Sequence, residues 1–173
     1  MLFILPGLFY IACEQVLEPG KIDDHKDDRD RITSISIDSV KLRSSRNDVE
    51  SILGSPDIVG LAEGFYSYFL WEYTKGVHIG LTVLFWEIIN DTDDWCGPVT
   101  NFSLSKNYKG KTADGIGIGS KISEVHKIYG EPSNFYENDD QRSETYIFEI
   151  SYMTFQYTQN GVSGITIGST EKP

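Results

Sequence analysis

The sequence has few cysteines, a shortage of basic residues and no apolar run long enough to cross a membrane. Its 173 residues include two cysteines, Cys13 and Cys96. Two are too few for a disulfide scaffold, and they lack the C-x-x-C spacing of zinc or thioredoxin-type motifs. Only 15 Lys and Arg stand against 26 Asp and Glu, which gives a formal net charge of −11. A phosphate-binding surface needs a local excess of cations, so the composition argues against a nucleic acid partner.

The first part of the chain is an uncharged apolar run, residues 1–12, that ends directly at Cys13. A transmembrane helix needs roughly 20 apolar residues, so this run is too short to span a bilayer. It fits the hydrophobic region of a secretory signal peptide. The alternative is a buried N-terminal strand with a core cysteine. Residues 13–31 contain few apolar side chains and two Asp-Asp pairs, which predicts a flexible tether.

The residues before Cys13 also resemble a bacterial lipobox, in which a small residue precedes the cysteine that is lipidated. Here Ala12 is that small residue, while Tyr10 stands where Leu is usual and no Lys or Arg precedes the apolar run. The resemblance implies that Cys13 carries a lipid and becomes the mature N-terminus. We therefore expect the protein to bind the membrane through Cys13.

From residue 32 onwards, one pattern of a short helix with strands occurs twice. The copies match at a constant offset of 76 residues (125 − 49 = 76), and the matched positions are Val49 with Val125, Gly54 with Gly130, and Pro56 with Pro132. Each glycine can take a left-handed conformation at the helix end, and each proline prevents continuation. Ser45 and Asp48 have the spacing of a capping box. We predict an α+β fold of two tandem repeats, 32–104 and 105–173, each a short helix packed on an antiparallel sheet.

The strands of the first repeat follow from apolar alternation. Residues 65–73 and 78–86 predict two long strands, and the short turn at 74–76 predicts that they pair antiparallel. Residues 99–104 predict the strand that completes this repeat.

In the second repeat, residues 145–152 predict one strand with Tyr146 and Tyr152 on the same face. Asn160 and Gly161 predict a hairpin with a type I′ turn. The two sheets are expected to join edge to edge.

Two loops suggest ligand chemistry, and each departs from the pattern it needs. Residues 105–112 approach a phosphate-binding P-loop, but Ser105 replaces its first glycine and the glycine-rich stretch that follows cannot form the required helix. A calcium loop counted from Asp91 would have Trp95 and Cys96 at its fifth and sixth positions, where a ligand and a glycine are needed. We predict no metal and no cofactor.

Cys96 is the one candidate nucleophile, with His78 or His126 as its base. Nothing in the sequence orients a third group, so we expect no enzyme activity. A hydrolase that uses Cys96 is the least favoured alternative.

Aromatic residues are the candidate contacts for a protein partner. A sheet with helices on one side leaves its other face open, and aromatic side chains there provide contact area. The candidates are Tyr66, Tyr68, Trp71, Trp86, Tyr146 and Tyr152. The alternative is that these side chains belong to the core.

The repeated motif resembles that of small bacterial envelope lipoproteins of the BamE (SmpA/OmlA) type, and its doubling is similar to the beta-lactamase inhibitor protein architecture. The resemblance covers about residues 40–167 and is carried by Asp48, Val49, Gly54 and Pro56, and by Glu124, Val125, Gly130 and Pro132. Lys121 departs from it, standing where the first helix has Ser45. Neither family is enzymatic, so the resemblance implies a binding role.

Together these features predict a lipid-anchored bacterial envelope protein, at the outer membrane, that acts as a non-catalytic protein-binding or assembly module. The alternative is a secreted protein inhibitor of an enzyme, of the beta-lactamase inhibitor kind.

Overall fold

The fold is α+β and dominated by one antiparallel sheet with two short helices. The structure is a computed structural model that describes residues 36–62, 68–86, 97–139 and 141–170. The predicted signal peptide and tether, Cys13 and Cys96 lie outside these residues.

A two-stranded hairpin precedes the first helix, and four strands follow each helix. The first part contains β1 Ser36–Ile37, β2 Val40–Lys41, α1 Arg46–Leu53, β3 Ile58–Ala62, β4 Tyr68–Tyr73, β5 Leu81–Trp86 and β6 Val99–Leu104. The second contains α2 Ile122–Tyr129, β7 Asn134–Glu137, β8 Arg142–Ile147, β9 Ser151–Thr158 and β10 Gly161–Ser169.

Strands β3 to β10 form one eight-stranded sheet in the order β3-β4-β5-β6-β10-β9-β8-β7. All neighbouring strands are antiparallel. The two sets of four strands meet at β6 and β10, where Leu104 pairs with Ile165 and Phe102 with Ile167. The prediction that the two sheets join edge to edge is therefore confirmed.

Local capping signals fix the helix ends. The Ser45 hydroxyl accepts from the Asp48 amide at 3.1 Å, and the Asp48 carboxylate accepts from the Ser45 amide at 3.1 Å, so the predicted capping box is present. In α2, Glu124 alone performs the second half of this exchange by accepting from the Lys121 amide at 2.7 Å. Gly54 and Gly130 end the helices with φ of 78° and 77°, as predicted.

The core lies between the helices and one face of the sheet. Both helices contribute a fully buried valine, Val49 and Val125. Such short helices are not stable alone, so this packing holds them in place. The sheet contributes mainly Trp71, Tyr73, Leu81, Val83, Phe85, Val99, Phe102, Leu104, Tyr146, Met153, Phe155, Tyr157, Val162, Ile165 and Ile167.

A predicted strand and a predicted turn differ from the structure. Residues 145–152 are not one strand, because the chain turns between β8 and β9, where the Phe148 amide donates to the Ser151 carbonyl at 2.8 Å. The turn changes which alternate residues face the helices, so Tyr146 and Tyr152 lie on opposite faces of the sheet. The hairpin at Asn160 and Gly161 is present, but only Gly161 has positive φ, so the turn is not type I′.

Candidate protein-binding surface

The two faces of the sheet differ in what covers them. α1 packs on one face through Arg46, whose guanidinium lies over the rings of Phe69 and Trp71. α2 packs on the same face through Tyr129, whose ring contacts Tyr146 and Phe155. We call this covered side of the sheet the helix face. Neither helix covers the opposite side, which we call the open face.

Strand alternation assigns side chains to the open face. In β5, Leu81, Val83 and Phe85 are buried against the helices, and the alternate residues are half-buried on the other side. Register extends this assignment across the sheet and gives Ile58, Gly60, Leu70, Glu72, Thr82, Leu84, Trp86, Asn101, Ser103, Asn134, Tyr136, Ser143, Thr145, Ile147, Tyr152, Thr154, Gln156, Gly164, Thr166 and Gly168. Glu72 is the one charged residue in this set, although 24% of the chain is charged. Depletion of charge is typical of the centre of a protein interface.

Apolar and aromatic side chains form a strip across the open face. Leu70 and Leu84 are direct cross-strand partners, and Tyr152 and Ile147 are partners on the other half of the sheet. Asn101 and Gly168 lie between these pairs in the same register row. The strip thus continues across the junction of β6 and β10.

Tyr152 fills the space beside Gly168 at the junction. A Cβ atom on Gly168 would lie 2.5 Å from Tyr152 Cζ, so the tyrosine ring occupies the space that a larger residue would fill. Its hydroxyl accepts a hydrogen bond from Asn101 Nδ2 at 2.9 Å, which ties β9 to β6 across β10. The absence of a side chain at Gly168 therefore lets an aromatic ring lie across the central strands.

A second row of the open face is built from hydroxyl groups. Residues in register on β5, β6, β10, β9 and β8 are Thr82, Ser103, Thr166, Thr154 and Thr145. Thr145 Oγ1 and Thr154 Oγ1 are hydrogen-bonded at 3.0 Å. Sequence reasoning missed this hydroxyl row, because its members become neighbours only once the strand order is known.

The predicted partner-binding residues divide between the two faces. Trp86 and Tyr152 lie half-buried on the open face. Trp71 and Tyr146 are buried on the helix face, so the alternative of a core role applies to them. The backbone of Tyr68 pairs with Trp86, and Tyr66 lies outside the described residues.

Glu144 is a fully buried carboxylate beneath α2. Its oxygens accept from Arg142 Nε and Nη2 at 3.0 and 2.6 Å and from the Tyr157 hydroxyl at 2.8 Å, and His126 Nε2 lies 3.0 Å from both of them. Burial acts to raise the pKa of Glu144, but the hydrogen bonds from Arg142, His126 and Tyr157 outweigh it and hold that pKa below its usual value. Burial, together with this carboxylate, raises the pKa of Tyr157 and Tyr146. With its oxygens already hydrogen-bonded, Glu144 fixes α2 to the sheet and is poorly placed to act as a base.

A second carboxylate links the N-terminal hairpin to the sheet. Asp38 Oδ2 accepts from the Tyr108 hydroxyl at 2.5 Å and lies 2.9 Å from His78 Nδ1. Burial, and then the hydrogen bond to Asp38, raises the pKa of Tyr108. This arrangement holds three segments together. Because Cys96 lies outside the described residues, the least favoured alternative, in which Cys96 uses His78 or His126 as its base, is not tested by the structure.

Clefts of about 610 and 530 Å³ lie near α2 among the described residues. No three His, Cys, Asp or Glu side chains among them are placed to hold a metal ion. The cleft of about 610 Å³ opens near the start of α2, with Glu137, Asp139 and Arg142 on its wall. Arg142 is already bound to Glu137 and Glu144, so the cleft lacks a free guanidinium for an anion.

No family model matches the chain. No curated protein matches it either, so the resemblance to BamE-type lipoproteins rests on the sequence motif.

Solved structures give a likeness of fold. An extracellular protein containing an SCP domain, from Bacillus anthracis strain Ames, matches with a TM-score of 0.53 and 10% identity over 90% of this chain and 50% of that chain. The chain therefore spans half the length of that protein. A DUF4309 family protein from Bacillus subtilis matches with a TM-score of 0.43 and 12% identity, over 76% of this chain and 83% of that one.

A weaker neighbour is a candidate beta-lactamase inhibitor protein from Streptococcus mutans, with a TM-score of 0.28 and 12% identity over 86% of this chain and 99% of that one. All three neighbours are bacterial proteins. In the part of the chain that the structure describes, no helix is long and apolar enough to cross a membrane.

Proposed function

We propose that this chain is a non-catalytic module of the bacterial envelope, at the outer membrane, anchored through lipidated Cys13, that binds a protein partner through the open face. The observation that carries the proposal is the scarcity of charge on that face, where Glu72 is the one charged side chain among the described strand residues. Elsewhere the chain is strongly acidic, with a net charge of −11. A charge-poor, half-apolar face on an acidic protein has the composition of an interface core.

The shape of the face favours a protein over a small molecule. Small-molecule sites are concave and enclose most of their ligand. The strip that contains Leu70, Leu84 and Tyr152 extends over six strands, and none of its residues lines either of the clefts near α2. We therefore infer a partner surface that contacts several strands, in place of a ligand enclosed in a pocket.

We further propose that the two halves are tandem copies of one module. The bounds of α1 and α2, and the glycines after them, are 76 residues apart (122 − 46 = 76). In both halves a tyrosine hydroxyl lies near the carbonyl of that glycine. Tyr73 donates to the Gly54 carbonyl at 3.0 Å, and the Tyr146 hydroxyl lies 3.4 Å from the Gly130 carbonyl and 3.3 Å from Glu144 Oε2. Matching tyrosine contacts at matching helix ends are expected of a duplicated unit.

The last strand of each half supports the same proposal. β6 has an extra residue at Thr100, where its register with β5 shifts, and β10 has one at Ser163, where its register with β9 shifts. The Thr100 hydroxyl donates to the Leu84 carbonyl at 3.2 Å, and the Ser163 hydroxyl donates to the Gln156 carbonyl at 3.2 Å. Bulges are specific features of a family, so two at matching positions favour a common origin of the halves.

The binding role is tested on the anchored protein in bacterial cells. Leu84→Arg places a charge at the centre of the open face, and Val77→Arg is the control because Val77 is exposed on the connection between β4 and β5. After crosslinking, we expect a partner band that the control retains and Leu84→Arg loses, with both variants melting like the wild type. A band that both variants retain equally contradicts the proposed surface.

The anchor is tested separately. Cys13→Ala should abolish fatty-acid labelling and move the protein from the detergent phase to the aqueous phase. Mass spectrometry of the mature N-terminus distinguishes the anchored form from the alternative, a secreted enzyme inhibitor. A lipidated Cys13 supports the anchor, and an unmodified N-terminus at a later residue supports the secreted form.

A further inference from the structure

Strand β3 forms one outer edge of the sheet and has an unusual sequence for that position. Among the described residues it pairs only with β4, so its other side presents backbone N–H and C=O groups without a strand partner. Its five residues include no charge and no proline. Ile58, Val59 and Leu61 are 46%, 55% and 54% exposed. An exposed, uncharged apolar edge is a template for pairing with another strand.

The opposite edge, β7, carries the protection that β3 lacks. Glu137 places a carboxylate on that strand and binds Arg142 Nη1 at 3.3 Å. The Arg142 guanidinium also lies over the Phe135 ring, 5.8 Å from its centroid. Charged side chains on an edge strand are a common device against edge-to-edge association. β7 also exposes Phe135 and Tyr136, but it carries the charge of Glu137, whereas β3 carries none, so β3 is the edge without a charged residue.

We infer that β3 is a docking site for β3 of a second copy of this chain, in antiparallel pairing centred on Gly60. That register places Val59 opposite Leu61 of the partner subunit on the helix face. Apolar side chains then meet apolar side chains, because β3 contains no charged residue. Cross-strand apolar pairs of this kind stabilise a sheet.

The same kind of joint already exists inside the chain. β6 and β10 are the last strands of their halves, and they pair antiparallel with Ser103 opposite Thr166 near the centre of the contact. Each four-stranded set thus has one edge used in this joint and one left outside. Antiparallel pairing of β3 with its copy repeats the arrangement, keeps the helices of both copies on the same side and extends the open face.

The strength of the association follows from the size of the contact. Five residues in a strand span about 17 Å, which buries much less than the roughly 1,200 Å² of a stable interface. We therefore expect a weak dimer, with a Kd of about 0.1–1 mM. Because each copy carries a net charge of −11, added salt should strengthen the dimer by screening the repulsion between copies.

Sedimentation of the full chain in detergent micelles tests the inference. We expect the wild type to shift from monomer to dimer with rising protein concentration, and Val59→Lys to remain monomeric over the same range. Val77→Lys and Phe135→Lys are matched controls, because both replace an exposed apolar side chain away from β3, and they should dimerise like the wild type.

Amide hydrogen exchange of the wild type gives a readout independent of any variant. Exchange in β3 should slow as concentration rises, while exchange in β7 should not change. A wild type that stays monomeric to about 1 mM, or a dimer that Val59→Lys leaves intact, overturns the inference. Loss of dimer in Phe135→Lys with no effect of Val59→Lys would assign the contact to β7 and overturn it equally.

Discussion

Replacing Glu144 with Gln should destabilise the protein strongly, because Glu144 is a fully buried carboxylate with charged hydrogen-bond donors around it. The amide keeps the shape of the side chain, removes its charge and turns an NH₂ group toward donors from Arg142, His126 and Tyr157. Removing one partner of a buried ion pair costs about 3–5 kcal/mol. The Arg142 side chain is 31% exposed, so water takes up part of its charge and we expect about 3 kcal/mol, the lower end of that range.

Urea and thermal unfolding measure this effect. In a chain of this length 1 kcal/mol lowers Tm by about 2–4 °C, so Glu144→Gln should lower it by about 6–12 °C. Glu137→Gln is the matched control, since Glu137 also binds Arg142 but is 54% exposed, and it should cost less than about 1 kcal/mol. Equal, small losses of stability in both variants would refute the conclusion that Glu144 fixes α2 to the sheet.

The pH dependence of the stability of wild type and Glu144→Gln provides a second check. The folded-state pKa of Glu144 lies below its usual value of 4.5, so between these two values the unfolded chain binds more protons than the folded one. The contribution of the carboxylate is full above pH 4.5 and is lost as the pH falls through the folded-state pKa. The stability difference between wild type and Glu144→Gln should therefore stay constant above pH 4.5 and shrink as the pH falls below 4.5. A difference that persists unchanged in strong acid would contradict this reasoning.

Three further outcomes are expected. Gly130→Val should cost at least about 1–2 kcal/mol in urea unfolding, because a β-branched residue is strained at φ of 77°; a neutral variant would mean that the helix end tolerates it. Asp38→Asn should cost about 1–3 kcal/mol by the same assay, since the buried Tyr108 hydroxyl loses a charged acceptor. Gly168→Val should displace the Tyr152 ring, break its hydrogen bond with Asn101 and weaken partner crosslinking, at a cost of about 1–3 kcal/mol in stability; unchanged crosslinking would remove Tyr152 from the binding surface.

Features set by local signals could be predicted from the sequence. Ser45 and Asp48 are three residues apart and form the capping box that their spacing predicts. Gly54 and Gly130 end their helices because few other residues adopt positive φ at low cost.

Features that depend on distant neighbours could not be predicted. The turn after β8 contains no glycine or proline, so 145–152 reads as continuous alternation and assigns Tyr146 to the wrong face. Leu70 and Trp71 are adjacent and both apolar, so the pattern does not say which one faces the helices. His126 lies on α2 and its partner, the Glu144 carboxylate, lies on β8, so only the fold brings the two within 3.0 Å.

The position of β10 has a consequence for how the molecule forms during synthesis. β10 is the last strand of the sheet in sequence, yet it lies in the middle of the sheet, between β6 and β9. Until β10 emerges, β6 and β9 each have one side whose backbone N–H and C=O groups lack their native strand partner. The nascent chain therefore reaches its native pairing only in its final step, and the interval before that step is when it is most exposed to misassociation.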